Sequence, residues 1–118
     1  MTTDAFLADC RARLGFDLLS NTWNSVVIWG LRDGPCRHGD LRERIGGISS
    51  KVLTETLRRL QSYGLVDRRV RPDAGSRAEY RLTDLGRTLL APIEAVGAWG
   101  FAYGDEVMAA QQPATDPD

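Results

Sequence analysis

Between residues 49 and 58 the chain sets hydroxyls and cations close together: Ser49, Ser50, Lys51, Thr54 and Arg58. Wound as a helix, the segment puts Lys51, Thr54, Glu55, Arg58 and Ser62 on one face and Leu53, Leu57 and Leu60 on the other. Hydroxyl and cationic groups in such a stripe can bond base edges and phosphate oxygens, whereas the same stripe on a helix that only covers a core is an ordinary solvated face. Two more arginines, Arg71 and Arg77, flank the loop Pro72-Asp73-Ala74-Gly75-Ser76, and cations at a hairpin tip suit a narrow minor groove. Catalysis has no comparable constellation. There is a single histidine, no G-x-S-x-G, no glycine-rich phosphate loop and no carboxylate pair on an apolar helix face, so neither an enzyme nor a cofactor is expected.

Charge is distributed in the same sense. The net charge of -1 conceals a segregation: Arg37 to Arg87 carries twelve cations against seven acids, while Thr88 to Asp118 carries five acids and no cation. A near-neutral chain can therefore still offer a positive face to a polyanion if folding gathers its middle on one surface. With 42% hydrophobic and 26% charged residues in a chain of 118, the composition is that of one globular domain with a modest core. The apolar run Val26 to Leu31 is too short to span a membrane, and no basic segment precedes it as in a signal peptide, so a cytoplasmic location is expected. The two cysteines, Cys10 and Cys36, are too few for a disulfide framework and fit a reducing compartment.

Turn residues divide the chain into the elements that must position these groups. Helices are expected over Phe6 to Leu19, Asn21 to Leu31 and Leu41 to Ile45, with Asp33-Gly34-Pro35 and Gly46-Gly47 as breaks. The helix from Ser50 to Tyr63 is capped by Ser49, with Ile48 and Leu53 as a hydrophobic staple. Leu65 to Arg71 and Ala78 to Leu82 read as an antiparallel hairpin, on which Arg68 and Arg69 decorate strand edges. Thr83 then caps a long final helix, kinked or delayed by Pro92, and Gln111 to Asp118 reads as a disordered tail. The expected fold is mainly α with a small antiparallel β-hairpin, a winged helix-turn-helix in which the second helix of the pair enters the major groove. Residues 1–110 would form that single domain, with residues 111–118 as its tail.

Several short motifs then become recognisable together: Gly34-Pro35, Asp40-Leu41-Arg42, Gly47-Ile48-Ser49, Lys51-Val52-Leu53-Thr54, Leu57-Arg58, Gly64-Leu65-Val66, Glu79-Tyr80, Leu82-Thr83, Leu85-Gly86 and Trp99-Gly100. From about Cys10 to Gly100 the chain resembles the HxlR family of winged helix-turn-helix transcription regulators, relatives of the MarR group. The resemblance implies a homodimer gripping pseudo-palindromic double-stranded DNA, with Ser49, Ser50, Lys51, Thr54, Arg58, Arg71 and Arg77 at the DNA. It implies dimer contacts from the N-terminal segment and last helix, for which Phe6, Leu7, Leu14, Phe16, Trp99, Phe101 and Tyr103 are candidates. Two positions depart from the family pattern: Thr22 replaces the usual Lys before Trp23, and His38 stands where Phe is usual.

Cys10 lies where many members of that family carry a cysteine, in some of them a sensor of oxidants or electrophiles, and Arg11 and Arg13 are placed to favour its thiolate. A small residue buried at a dimer interface is the competing role. The run Cys36-x-His38-x-Asp40 resembles a metal cluster only superficially, and no metal is expected. Trp23, Trp29, Trp99, Phe101 and Tyr103 serve either as core or interface or as the lining of a small-molecule pocket. Two functions remain open from sequence: a homodimeric operator-binding regulator answering to an oxidant or ligand, and a winged-helix dimer that binds a protein or small molecule without an operator.

Overall fold

The computed structural model describes residues 11–75 and 77–111. Helix α1 (Arg11–Ser20) leads into α2 (Thr22–Gly30), whose N-cap Asn21 accepts a hydrogen bond from the Trp23 amide at 3.1 Å. Strand β1 (Cys36–Arg37) and helix α3 (His38–Ile45) follow, then α4 (Ser50–Ser62), β2 (Val66–Arg71), a 3-10 turn at Pro72–Ala74, β3 (Arg77–Leu82), α5 (Asp84–Arg87) and α6 (Leu90–Gln111). The core forms where α2, α3 and α4 meet the sheet, around Ile28, Leu31, Leu41, Leu53, Leu57 and Leu60. Leucines four and three residues apart on α4 deliver the widest part of it, as their helical period requires.

The turn between α3 and α4 is set by two glycines. Gly46 and Gly47 have φ of 71° and 69°, a region that side-chain-bearing residues rarely enter, so the chain reverses there without strain. Arg42 Nε donates to the Ile48 carbonyl at 3.2 Å across this turn. Ser49 Oγ then accepts from the Val52 amide at 3.1 Å, and Ile48 and Leu53 are both buried beside the cap. Close packing of α3 on α2 relies on a third glycine: a Cβ on Gly30 would lie 2.9 Å from Leu41 Cδ1.

Three features differ from the expectation. The hairpin has a third strand, because β1 pairs with β3 through Cys36↔Tyr80 and Arg37↔Glu79, giving the order β1-β3-β2. Two residues are too few to show alternation. Helix α3 starts at His38 and not Leu41, since its first turn is polar and carries no apolar period. The final helix is split: Thr83 caps only α5, accepting from the Gly86 amide at 3.0 Å, and α6 begins at Leu90. Pro92 thereby falls in the first turn of α6, where a missing N–H leaves no gap in the helix ladder, so the delayed start is the outcome and not the kink. Gln111 closes α6 and does not belong to a tail, while residues 112–118 lie outside the described residues.

A buried polar relay joins three helices. Asn24 of α2, 2% exposed, donates through Nδ2 to the Leu18 carbonyl of α1 at 3.0 Å. Its Oδ1 accepts from Arg59 Nε of α4 at 3.0 Å, and Arg59 Nη2 reaches Thr56 Oγ1 at 3.3 Å. Asn24→Ala strands both the carbonyl and the guanidinium, and is expected to lower stability by about 2 kcal/mol. Chemical unfolding checks this; a loss below about 0.5 kcal/mol would mean that water replaces the amide at no cost.

Candidate nucleic-acid interface

The outward face of α4 carries the expected groups. Ser49, Ser50, Lys51 and Arg58 are exposed and Thr54 is half-buried, with Leu53 and Leu57 beneath them. Lys51 and Arg58 have no ion-pair partner among the described residues, so both charges point to solvent. Ser49 spends an acceptor site on its cap and keeps its O–H. Thr54 is tied more specifically: His38 Nε2, from the first turn of α3, lies 3.0 Å from Thr54 Oγ1. The same imidazole meets the Tyr80 ring of β3 edge-on, with centroids 6.4 Å apart. His38 thereby links the α4 face to the hairpin.

Most other arginines of the basic middle are engaged internally. Arg44 Nη1 donates to the Gly30 carbonyl at 2.8 Å and closes the C-terminus of α2, while Arg42 and Arg59 brace the turn and the relay described above. Arg81 pairs with Asp67 across β2 and β3 at 3.4 Å. At the wing the two expected cations part company. Arg71 lies between Asp73 and Glu79, each at 3.3 Å, and the Asp73 hydrogen bond and charge, followed by the Glu79 charge, raise its pKa. Arg77, opposite it in the β-ladder, is exposed without an ion pair among the described residues. A cleft of about 380 Å³ between the start of α3 and β3 is lined by Arg37, His38, Asp40, Arg77 and Tyr80. The free wing cation and the residue that holds Thr54 thus border one surface.

Cys10 and the dimer candidates Phe6 and Leu7 lie outside the described residues. Cys36 is buried in β1, and burial pushes its thiol pKa up against the opposing charge of Arg44, which keeps it protonated and unreactive. With Cys36 in the core and His38 turned to Thr54, the Cys36-x-His38-x-Asp40 run does not converge; among the described residues no three metal-ligating side chains do. Leu14 and Phe16 on α1 are exposed, as are Trp99, Phe101 and Tyr103 on α6, Phe101 to 97%. Trp23 packs against the core, and Trp29 does so while keeping one side on a groove. A groove of about 560 Å³ runs between α2 and α6, past Val26, Trp29, Ile93, Val96 and Phe101. Among the described residues no helix is long and apolar enough to cross a membrane.

Sequence reasoning missed Arg37, the His38–Thr54 contact and the Arg59 relay. The last two join residues distant in the chain, and their signals were His38 in place of the usual Phe and Asn24 as a polar residue in the α2 stripe.

Known proteins share both the sequence pattern and the fold. The HTH-type transcriptional regulator YodB of Bacillus subtilis is 38% identical over 95 residues, 78% of this chain and 85% of that protein. An uncharacterised HTH-type transcriptional regulator of Methanothermobacter thermautotrophicus is 36% identical over 104 residues, covering 88% and 78%. The solved reduced form of YodB superposes with a TM-score of 0.70 at 36% identity, over 77% of this chain and 90% of that one. The redox regulator HypR in its oxidised form gives 0.71 at 29% identity, over 79% and 96%. The model of the HxlR-like helix-turn-helix family matches residues 18–108, from the end of α1 through most of α6. This chain belongs to the HxlR-like helix-turn-helix family of transcriptional regulators.

Proposed function

We propose that this chain is a cytoplasmic, sequence-specific DNA-binding regulator that grips a pseudo-palindromic operator as a homodimer. The observation that carries the reading is a set of exposed cations without an ion pair among the described residues, Lys51 and Arg58 on the outward face of α4 and Arg77 on the wing, joined through His38, which bonds Thr54 of α4 and shares a cleft with Arg77. In this reading Ser49, Ser50 and Thr54 supply hydrogen bonds in the major groove, and the wing follows the flanking backbone or minor groove. The homodimer draws support from the apolar side chains that α1 and α6 leave uncovered, Leu14, Phe16, Trp99, Phe101 and Tyr103, to which Phe6 would add. Selection of bound duplexes from a random pool tests the reading. A symmetric motif with half-site centres about ten base pairs or a multiple apart is the expected result; no enriched motif leaves a protein- or ligand-binding dimer in its place.

Within the wing the two arginines carry unequal weight. Arg77→Ala should lower affinity across sequences by about three- to tenfold and flatten its salt dependence by about one unit of slope. Arg71→Ala should do less, because Asp73 and Glu79 already offset that charge. Equal losses in a titration against salt would place Arg71 at the DNA after all.

Regulation by an oxidant or electrophile belongs to the same reading. The solved neighbour HypR is a redox regulator, and with Cys36 buried and its thiol pKa raised, Cys10 is the thiol left to react. Oxidant should release DNA from the native chain by about tenfold or more and leave Cys10→Ser bound, since a low-pKa accessible thiol is what such chemistry needs. Identical release from both retires the sensor.

A further inference from the structure

His38 touches the proposed reading face through a single hydroxyl. Its Nε2 lies 3.0 Å from Thr54 Oγ1, and its ring is held in place edge-on to Tyr80. Thr54 is half-buried on the face of α4 that also carries Lys51 and Arg58, and His38 is its only side-chain hydrogen-bond partner among the described residues. A hydroxyl has one proton to give and lone pairs to receive with, so the direction of its bond to His38 fixes what remains for a second partner. When Nε2 is bare, it accepts the Thr54 proton and the hydroxyl presents lone pairs alone. When Nε2 carries a proton, in the neutral Nε2–H tautomer as in the imidazolium, it donates, and the Thr54 proton is released towards solvent or DNA.

Resting on the operator-binding reading above, we propose that His38 is a specificity-determining residue that acts through Thr54, setting whether that hydroxyl accepts from or donates to a base edge in the major groove. In the accepting state Thr54 matches only an amino group, adenine N6 or cytosine N4; in the donating state it keeps one lone pair and gains a proton for guanine O6 or N7 or thymine O4, so the balance moves towards those acceptors. The proton that turns one state into the other adds to His38 Nε2 and comes from solvent. In this proposal the neutral ring carries its proton on Nδ1, so that Nε2 is bare until the ring is protonated and base preference under Thr54 depends on pH.

The charges around the ring come from every element that packs on it. Arg37 of β1, Asp40 of α3 itself, and Arg77 and Tyr80 of β3 line the cleft beside His38. Helix α4 carries Lys51, Glu55 and Arg58 around Thr54.

The test measures relative affinity for the four bases at one operator position, between about pH 8 and about pH 5, the interval in which histidines change charge. The operator is taken from the random-pool selection, and the position is the one whose base preference Thr54→Val flattens. The native protein should shift its preference there by about three- to tenfold from amino-bearing to carbonyl-bearing edges as pH falls, the worth of one hydrogen bond exchanged against water. His38→Phe keeps an aromatic ring on Tyr80 and His38→Gln keeps a hydrogen-bonding group that does not titrate; both should hold one preference at either pH. Ratios between bases are read because overall affinity also changes with the charge of His38. A native preference that is the same at both pH values, or a shift that persists in His38→Phe and His38→Gln, overturns the inference. If Lys51→Ala and Arg58→Ala still weaken operator binding, only the role of His38 has failed; if no duplex is bound, the operator reading fails and this inference with it.

Discussion

Gly86→Ala is expected to destabilise the protein by about 3 kcal/mol, without touching any residue assigned to DNA. Gly86 is buried in α5, where the chain turns from β3 towards α6 and passes directly over the backbone of Leu65. A Cβ there would be driven into the Leu65 carbonyl oxygen, with the carbonyl carbon at 3.1 Å and Leu82 Cδ2 at 3.3 Å. The Leu82 methyl can rotate away, but the two Leu65 atoms are backbone and cannot. The carbonyl is already committed to the Thr83 amide at 3.0 Å, and Thr83 in turn caps α5. Relief must therefore come from moving α5 off Leu65, which opens the contact between Leu65, Leu82 and the rest of the core. The φ of Gly86 is not positive, so the cost is one of space and not of backbone strain. Urea unfolding measures it; a loss under about 1 kcal/mol would mean that α5 floats over the strand instead of locking to it.

The contrast between Gly86 and α4 shows which parts of this molecule can be seen in its sequence. Leu53, Leu57 and Leu60 declare a helix face by their own spacing, and Ser49 with Ile48 declares its start, because both signals lie within a few residues of one another. The wing is legible for the same reason: its loop is marked by Pro72 and Gly75, the latter left-handed with φ of 77°. Gly86 carries no such local mark, since its need for a hydrogen in place of a Cβ comes from Leu65, far back in the chain. The arginines divide likewise. Arg58 and Arg59 are neighbours of one chemistry, yet Arg59 reaches Asn24 on another helix while Arg58 faces solvent. Local period can tell the two faces of α4 apart, but not that a position on the boundary between them will find a buried amide across the core. The same limit hid the bond from His38 to Thr54, sixteen residues apart, and the pairing of Arg71 with Glu79.

That division predicts opposite behaviour from adjacent residues, and the double variant Lys51→Ala/Arg58→Ala is where binding should fall furthest. Both side chains are exposed on α4 and neither makes an ion pair among the described residues, so their removal leaves no stranded charge and should alter stability by no more than about 0.5 kcal/mol. At a DNA surface each cation displaces condensed counterions, and a contact to phosphate or guanine is worth about 1–3 kcal/mol. Loss of both should weaken operator binding by about a hundredfold or more at physiological salt and reduce the slope of log affinity against log salt by about two units. Arg59→Ala should give the reverse result. It abandons the buried Asn24 amide and lowers stability by about 2 kcal/mol, while binding by the folded fraction changes little. Fluorescence anisotropy across a salt series, with thermal unfolding of the same samples, separates the two. Should the double variant bind with unchanged affinity and slope, the outward face of α4 does not meet DNA, and the proposed operator contacts lose their physical basis.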